Sequence, residues 1–143
     1  MKSWMITGAA VLLSGCVQLT DYASAVKTPP PDALVGSWQT FGPQSGLVSD
    51  QATGSLMIDK QGNTLDCRQW QRVIVKPGKV SQLEGKLVNV NNQLRVKPLK
   101  LEGSELHYDG LVMRKVSQPT AACQQAWLQA EAAATGQTPA PAE

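Results

Sequence analysis

GSLMIDKQGNTLDCRQW, residues 54–70, holds two strand-like runs on either side of Lys60-Gln61-Gly62-Asn63. Gly54–Asp59 and Thr64–Trp70 alternate with a period of two, and the intervening residues suit a tight turn, so the stretch reads as a β-hairpin. On its second strand Leu65 and Cys67 share one face while Asp66 and Arg68 share the other. Burying the apolar pair turns Leu65 and Cys67 inward and leaves Asp66, Arg68 and Trp70 facing solvent.

The same alternation extends in both directions. Ala33–Phe41 forms a first strand. Beyond the hairpin, Gln71–Lys76 carries Val73, Ile74 and Val75, and Pro77-Gly78 suits the centre of a type II turn leading into Lys79–Leu83. Lys86–Val90 and Gln93–Lys97 flank Asn91-Asn92; Lys100–Glu102 follows Pro98, which implies an edge or a bend. Glu105–Tyr108 and Leu111–Val116 flank Asp109-Gly110, a strong hairpin signal.

Roughly 8 to 10 short strands at near-regular spacing predict a mainly β fold, a small antiparallel lipocalin-like barrel or a sandwich. Gly36-Ser37-Trp38 on the first strand and Arg114 on the last resemble the lipocalin barrel base, where a basic side chain covers a tryptophan. After the strands, Gln118-Pro119-Thr120 opens an alanine- and glutamine-rich helix that Gly136 ends. Cys123, Trp127, Ala130 and Ala134 fall on one helical stripe, which is expected to dock on the β domain.

Location decides the cysteine chemistry. MKSWMITGAAVLLSGC, residues 1–16, has one charge, Lys2, then a short apolar run. That layout is a signal peptide, too short for a membrane span. Its end, Leu13-Ser14-Gly15-Cys16, resembles the lipobox of bacterial lipoproteins, so residues 1–15 are removed and Cys16 is acylated. Val17 in place of aspartate implies, by resemblance to Gram-negative sorting, an outer-membrane anchor facing the periplasm. Residues 16–32, closing with Thr28-Pro29-Pro30-Pro31, read as a flexible tether, 33–136 as one β-rich domain, and 137–143 as a disordered tail. In an oxidising compartment, with Cys16 acylated, Cys67 and Cys123 remain to pair with each other.

The mature chain has 128 residues, and without Lys2 its 12 Lys and Arg stand against 11 Asp and Glu. No charge run indicates nucleic acid as a partner. His107 is the sole histidine and the cysteines lack paired ligand spacing, so no metal or cofactor is expected. Asp66, Glu105 and Asp109 are the carboxylates that a glycan-cleaving enzyme would need to bring together.

Thr28-Pro29-Pro30-Pro31-Asp32, GSWQTFGPQ (36–44), GNTLDCRQWQRVI (62–74), Tyr108-Asp109-Gly110 and PTAAC (119–123) together resemble the enterobacterial YedD-like lipoproteins. The resemblance implies a small outer-membrane lipoprotein without catalytic residues, and it supports the cysteine pairing. The expected function is therefore a monomeric, non-enzymatic binding or adaptor module. Asp66, Arg68, Trp70 and Arg72 form its interaction surface, and a lytic or synthetic peptidoglycan enzyme is the expected client. The alternatives are a lipocalin-like carrier of a small apolar ligand and, third, a glycan-cleaving enzyme.

Overall fold

A computed structural model of the chain describes residues 21–134. Among the described residues, strands β1 (Gly36–Thr40), β2 (Thr53–Ile58), β3 (Asn63–Trp70), β4 (Arg72–Leu83), β5 (Lys86–Asn91), β6 (Val96–Pro98), β7 (Lys100–Glu102), β8 (Glu105–Tyr108) and β9 (Leu111–Val116) precede the helix α1 (Ala121–Ala134). All pairings are antiparallel, and the strand order is β6-β5-β4-β3-β2-β1-β9-β8-β7. The two ends of that order are consecutive in the chain. Leu99 separates β6 from β7, and its amide donates to the Leu87 carbonyl, so one kinked strand passes from β5 to β8 and nearly closes a barrel. Pro98 sits at this bend, where a missing amide does least harm.

The hairpins follow the turn chemistry. Asp109 and Gly110 both take positive φ, 52° and 74°, between the paired Tyr108 and Leu111. Glu84-Gly85 does the same at 52° and 77°, between the paired Leu83 and Lys86.

Pro77-Gly78 is not a turn. Arg72–Leu83 runs as one strand, whose first part pairs with β3 and whose second part pairs with β5. The chain reverses instead at Gln71, φ 58°, between the paired Trp70 and Arg72. Glycine is needed at 78 for space: a Cβ there would lie 2.6 Å from both Asn89 Oδ1 and Thr64 Oγ1. Those two atoms are hydrogen-bonded to each other at 2.6 Å in the buried interior. Gly78→Ala is therefore expected to cost about 1–3 kcal/mol in urea unfolding, an overpacking penalty.

Three apolar clusters follow from strand parity. The barrel interior holds Leu34, Trp38, Leu56, Leu106, Tyr108 and Met113 among others. Outside the wall, Met57, Leu65 and Cys67 lie under α1, meeting Cys123, Ala126, Trp127 and Ala130. A third cluster joins Val88 and Val90 to Ala25. The alternation on β3 is as expected, but its inside and outside are exchanged. Leu65 and Cys67 point out of the barrel beneath the helix, and Asp66 points into it, 5% exposed. Both faces of β3 are covered, so apolar character alone does not mark the interior one.

Cys67 and Cys123 are joined by a disulfide, with Cα atoms 5.9 Å apart and both residues fully buried. Thr120 caps α1, its hydroxyl accepting from the Cys123 amide at 3.4 Å. The segment read as a tether is packed over its described part. A short turn, Tyr22–Ser24, leads to the buried Ala25, the Thr28 amide donates to Val80 O, and Lys79 Nζ donates to Tyr22 O. The outer face of β4 and β5 would otherwise expose Val88 and Val90, and the arm covers it. Cys16 and the tail 137–143 lie outside the described residues.

At the closed end, Trp38 Nε1 donates to Leu34 O and the ring is buried. The cation over it is Lys115, 5.2 Å from the ring centroid, and not Arg114. On β9 the interior parity belongs to Leu111, Met113 and Lys115, with Lys115 directly opposite Trp38. Arg114 faces outward, over the Phe41 ring and 3.5 Å from Glu105.

Candidate functional site at the barrel mouth

The opposite end of the barrel is built from the far ends of β3 and β4, the β1–β2 loop and the Asp109 hairpin. The loop is held in place by Gln44, whose side chain donates to Val112 O at 2.7 Å and accepts from the Val112 amide at 2.9 Å. That clamp brings Leu47, Val48 and Ala52 opposite Trp70, Arg72 and Ile74 across a groove of about 240 Å3.

A charged network forms the floor. Arg68 Nε donates to Asp66 Oδ1 at 2.7 Å and Nη2 to Asp66 Oδ2 at 3.1 Å, while Nη2 also reaches Asp109 Oδ2 at 2.9 Å. Lys97 lies 2.8 Å from the same Asp109 oxygen. Below it the interior is filled: the Tyr108 hydroxyl donates to Asp66 Oδ2 at 3.0 Å and accepts from Asn89 Nδ2, and Asn89 accepts from Thr64. A carboxylate that accepts from both an arginine fork and a buried phenol has its acceptor sites satisfied, which permits its burial.

These contacts set the protonation states. Burial works to lower the Arg68 pKa, but the hydrogen bond and charge of Asp66, with Asp109 adding, raise it overall. Burial works to raise the Asp109 carboxyl, but Lys97, aided by Arg68, outweighs it and holds it below the ordinary carboxylate range. Burial, reinforced by the Asp66 charge, pushes the Tyr108 phenol well above its ordinary value. Tyr108 is a fixed donor and not an acid at neutral pH.

The four residues expected to form an interaction surface, Asp66, Arg68, Trp70 and Arg72, all line this one groove. Their placement is internal to the mouth and not on an outer strand face. Ile74 and Lys76 join them because Arg72, Ile74 and Lys76 share one parity on the unbroken β4. Reading a turn at Pro77-Gly78 hid that continuity. Lys97 arrives from β6, and no local sequence signal announces it. Of the three carboxylates considered for glycan cleavage, Asp66 and Asp109 meet on Arg68, while Glu105 pairs with Arg114. His107 sits 3.2 Å from Glu102. Among the described residues no group of three or more His, Cys, Asp or Glu is arranged to hold a metal.

Comparison with known proteins adds to this geometry. The family model described as "Bacterial lipocalin LPS transport optimiser YedD" matches residues 19–127. The uncharacterized lipoprotein YedD of Escherichia coli K12 is 49% identical over 123 residues, covering 86% of this chain and 90% of that protein. The corresponding lipoprotein of Salmonella typhimurium LT2 is 44% identical over 141 residues, covering 99% of this chain and 94% of its own. The crystal structure of a lipoprotein YedD from Klebsiella pneumoniae superimposes with a TM-score of 0.76 at 43% identity, covering 78% of this chain and 96% of that one.

Proposed function

The chain belongs to the YedD family, and on that premise we propose that it is a non-enzymatic, lipid-anchored adaptor at the periplasmic face of the outer membrane that assists lipopolysaccharide transport by docking on a protein of the transport apparatus. The observation that carries this reading is the free end of the β3–β4 hairpin. Val73 and Val75 are each 40% exposed on its outer face, and Trp70 and Ile74 are 39% and 43% exposed on the groove face, so the tip presents large apolar side chains on both sides. Exposed apolar clusters on soluble domains mark contact sites, and tryptophan and arginine, present here as Trp70 and Arg72, dominate binding energy at interfaces.

The family's description supplies the pathway, and it favours the lipopolysaccharide apparatus over a cell-wall enzyme as client. Carriage of a ligand deep inside the barrel has little support, because the interior is occupied by apolar side chains and by the Thr64, Asn89, Tyr108 and Asp66 network. Glycan cleavage needs one carboxyl raised to act as an acid, whereas Asp109 is held below its ordinary range and Asp66 is tied to Arg68.

A photoreactive amino acid at Val73 in living cells is expected to give one dominant adduct with a protein of the lipopolysaccharide transport apparatus. Placing Val75→Asp in the same chain should cut the yield about tenfold. Adducts with a peptidoglycan enzyme alone, or no protein adduct from a folded and anchored chain, would overturn the reading.

A further inference from the structure

The groove beside that hairpin has a chemistry of its own. Its walls are apolar on both sides, Leu47, Val48 and Ala52 facing Trp70 and Ile74. It also holds four cations, Arg68, Arg72, Lys76 and Lys97, against two carboxylates, Asp66 and Asp109, which leaves two positive charges in excess. The two acids are committed, since Arg68 takes both and Lys97 takes Asp109. The excess is therefore localised: among the described residues Arg72 and Lys76 have no ion pair. They lie two residues either side of Ile74 with the same strand parity, so both flank the apolar wall.

An apolar slot flanked by two unpaired cations calls for a ligand with a hydrocarbon part and an anionic head. We propose that the mouth groove binds a single-chain anionic amphiphile, with its acyl chain between Leu47, Ala52, Trp70 and Ile74 and its phosphate at Arg72, within the positive field of Lys76. Size restricts the class. At about 240 Å3 the groove is below the roughly 300–1,000 Å3 of ordinary small-molecule pockets, and the filled interior beneath Asp66 stops deeper entry. Such a volume takes a stretch of one chain, and a bundle of chains does not fit.

Charge specifies the head. Arg72 is exposed at the rim, and Lys76, about 13 Å further along the same strand, is half-buried beside Asp66, so a phosphate on Arg72 keeps part of its water while Lys76 adds to the positive field. A zwitterionic or neutral head gains the apolar contact alone. Of the residues behind the adaptor reading, Trp70, Arg72 and Ile74 line the groove, while Val73 and Val75 do not and sit on the opposite face of β4. The crosslinking test at Val73 and Val75 and the groove test therefore read different faces of the strand.

The full chain, purified in the neutral detergent dodecyl maltoside, is labelled with a diazirine-bearing lysophosphatidylglycerol and, separately, with a diazirine-bearing monoacylglycerol. The label is located by peptide mass spectrometry. The anionic probe is expected to mark residues 46–53 and 70–76, saturably, and about tenfold more efficiently than the neutral one. Arg72→Gln with Lys76→Gln should remove that preference, and Ile74→Asp should lower labelling by both probes. Retention of the Cys67–Cys123 bond and of the folded circular dichroism spectrum checks each variant. An excess of inorganic phosphate should compete only weakly. Complete competition by phosphate would mean a free-phosphate site and overturn the proposal. So would equal labelling by the two probes, or label spread over the rest of the chain. None of these readouts involves a protein partner, so the outcome is independent of the crosslinking experiment at Val73.

Discussion

Replacing both Cys67 and Cys123 with alanine is expected to lower the unfolding free energy by about 4 kcal/mol, the chain-entropy value for a loop of this length. For a domain of this size that corresponds to a fall in Tm on the order of 15 °C. The bond spans 56 positions and joins α1 to β3, so it restricts nearly half of the described chain in the unfolded state. Its second effect is local. Helix α1 has 14 residues, rich in alanine and glutamine, and isolated helices of that length are marginal in water. Its buried apolar partners on the barrel wall, besides Cys67, are Met57 and Leu65, and it also lies against β4.

Without the bond, helix and barrel are expected to separate in stability. Trp127 should become more exposed and its fluorescence should shift to the red, at denaturant concentrations where the strand signal is still native. Protease sites within residues 117–134 should open in the same range. A single coincident transition, with a loss under about 1 kcal/mol, would show that packing alone holds the helix and that the cross-link contributes little.

The antiparallel barrel was legible because its signals are local. Gly62-Asn63 and Asp109-Gly110 put strand reversals where the structure has them, and the stripe of Cys123, Trp127 and Ala130 does face the wall. What the sequence could not supply were properties decided by other elements. Alternation on β3 separates Leu65 and Cys67 from Asp66 and Arg68, but which set faces the barrel depends on α1 covering the outside and on Tyr108 waiting inside to bond Asp66. Gly78 has the composition of a turn, and only the approach of Asn89 from β5 and Thr64 from β3 explains it as a spacer. Lys115 rather than Arg114 covers Trp38 because the parity of β9 is fixed by its register with β1. The candidate site shows the same division. Asp66, Arg68, Trp70 and Arg72 are close in sequence and were found together, while Lys97, Leu47 and Ala52 come from distant segments.

Asp66→Ala is expected to cost about 2–3 kcal/mol, measured by urea unfolding. Removing one partner of a buried ion pair costs roughly 3–5 kcal/mol when the remaining charge is stranded. Two features reduce that figure here. The Arg68 side chain is 27% exposed, and it keeps Asp109 as a second partner at 2.9 Å. The variant also strips the Tyr108 hydroxyl of its acceptor in a residue only 2% exposed. Tyr108→Phe removes a single hydroxyl but leaves both Asn89 and Asp66 short of a partner, so a loss of about 1–2 kcal/mol is expected. In the double variant the two losses should fall short of their sum by at least about 0.5 kcal/mol, because both delete the same Tyr108 to Asp66 bond. Strict additivity would mean that the bond does not contribute to folding and that the two residues are buried for separate reasons. The network also links stability to the groove above it. Taking away Asp66 frees half of the Arg68 fork at the groove floor and adds a third uncompensated positive charge, so capture of the anionic amphiphile should rise in the very variant that folds less stably. A parallel fall in stability and capture would instead place Asp66 among the groups that shape the groove, with charge as the lesser effect.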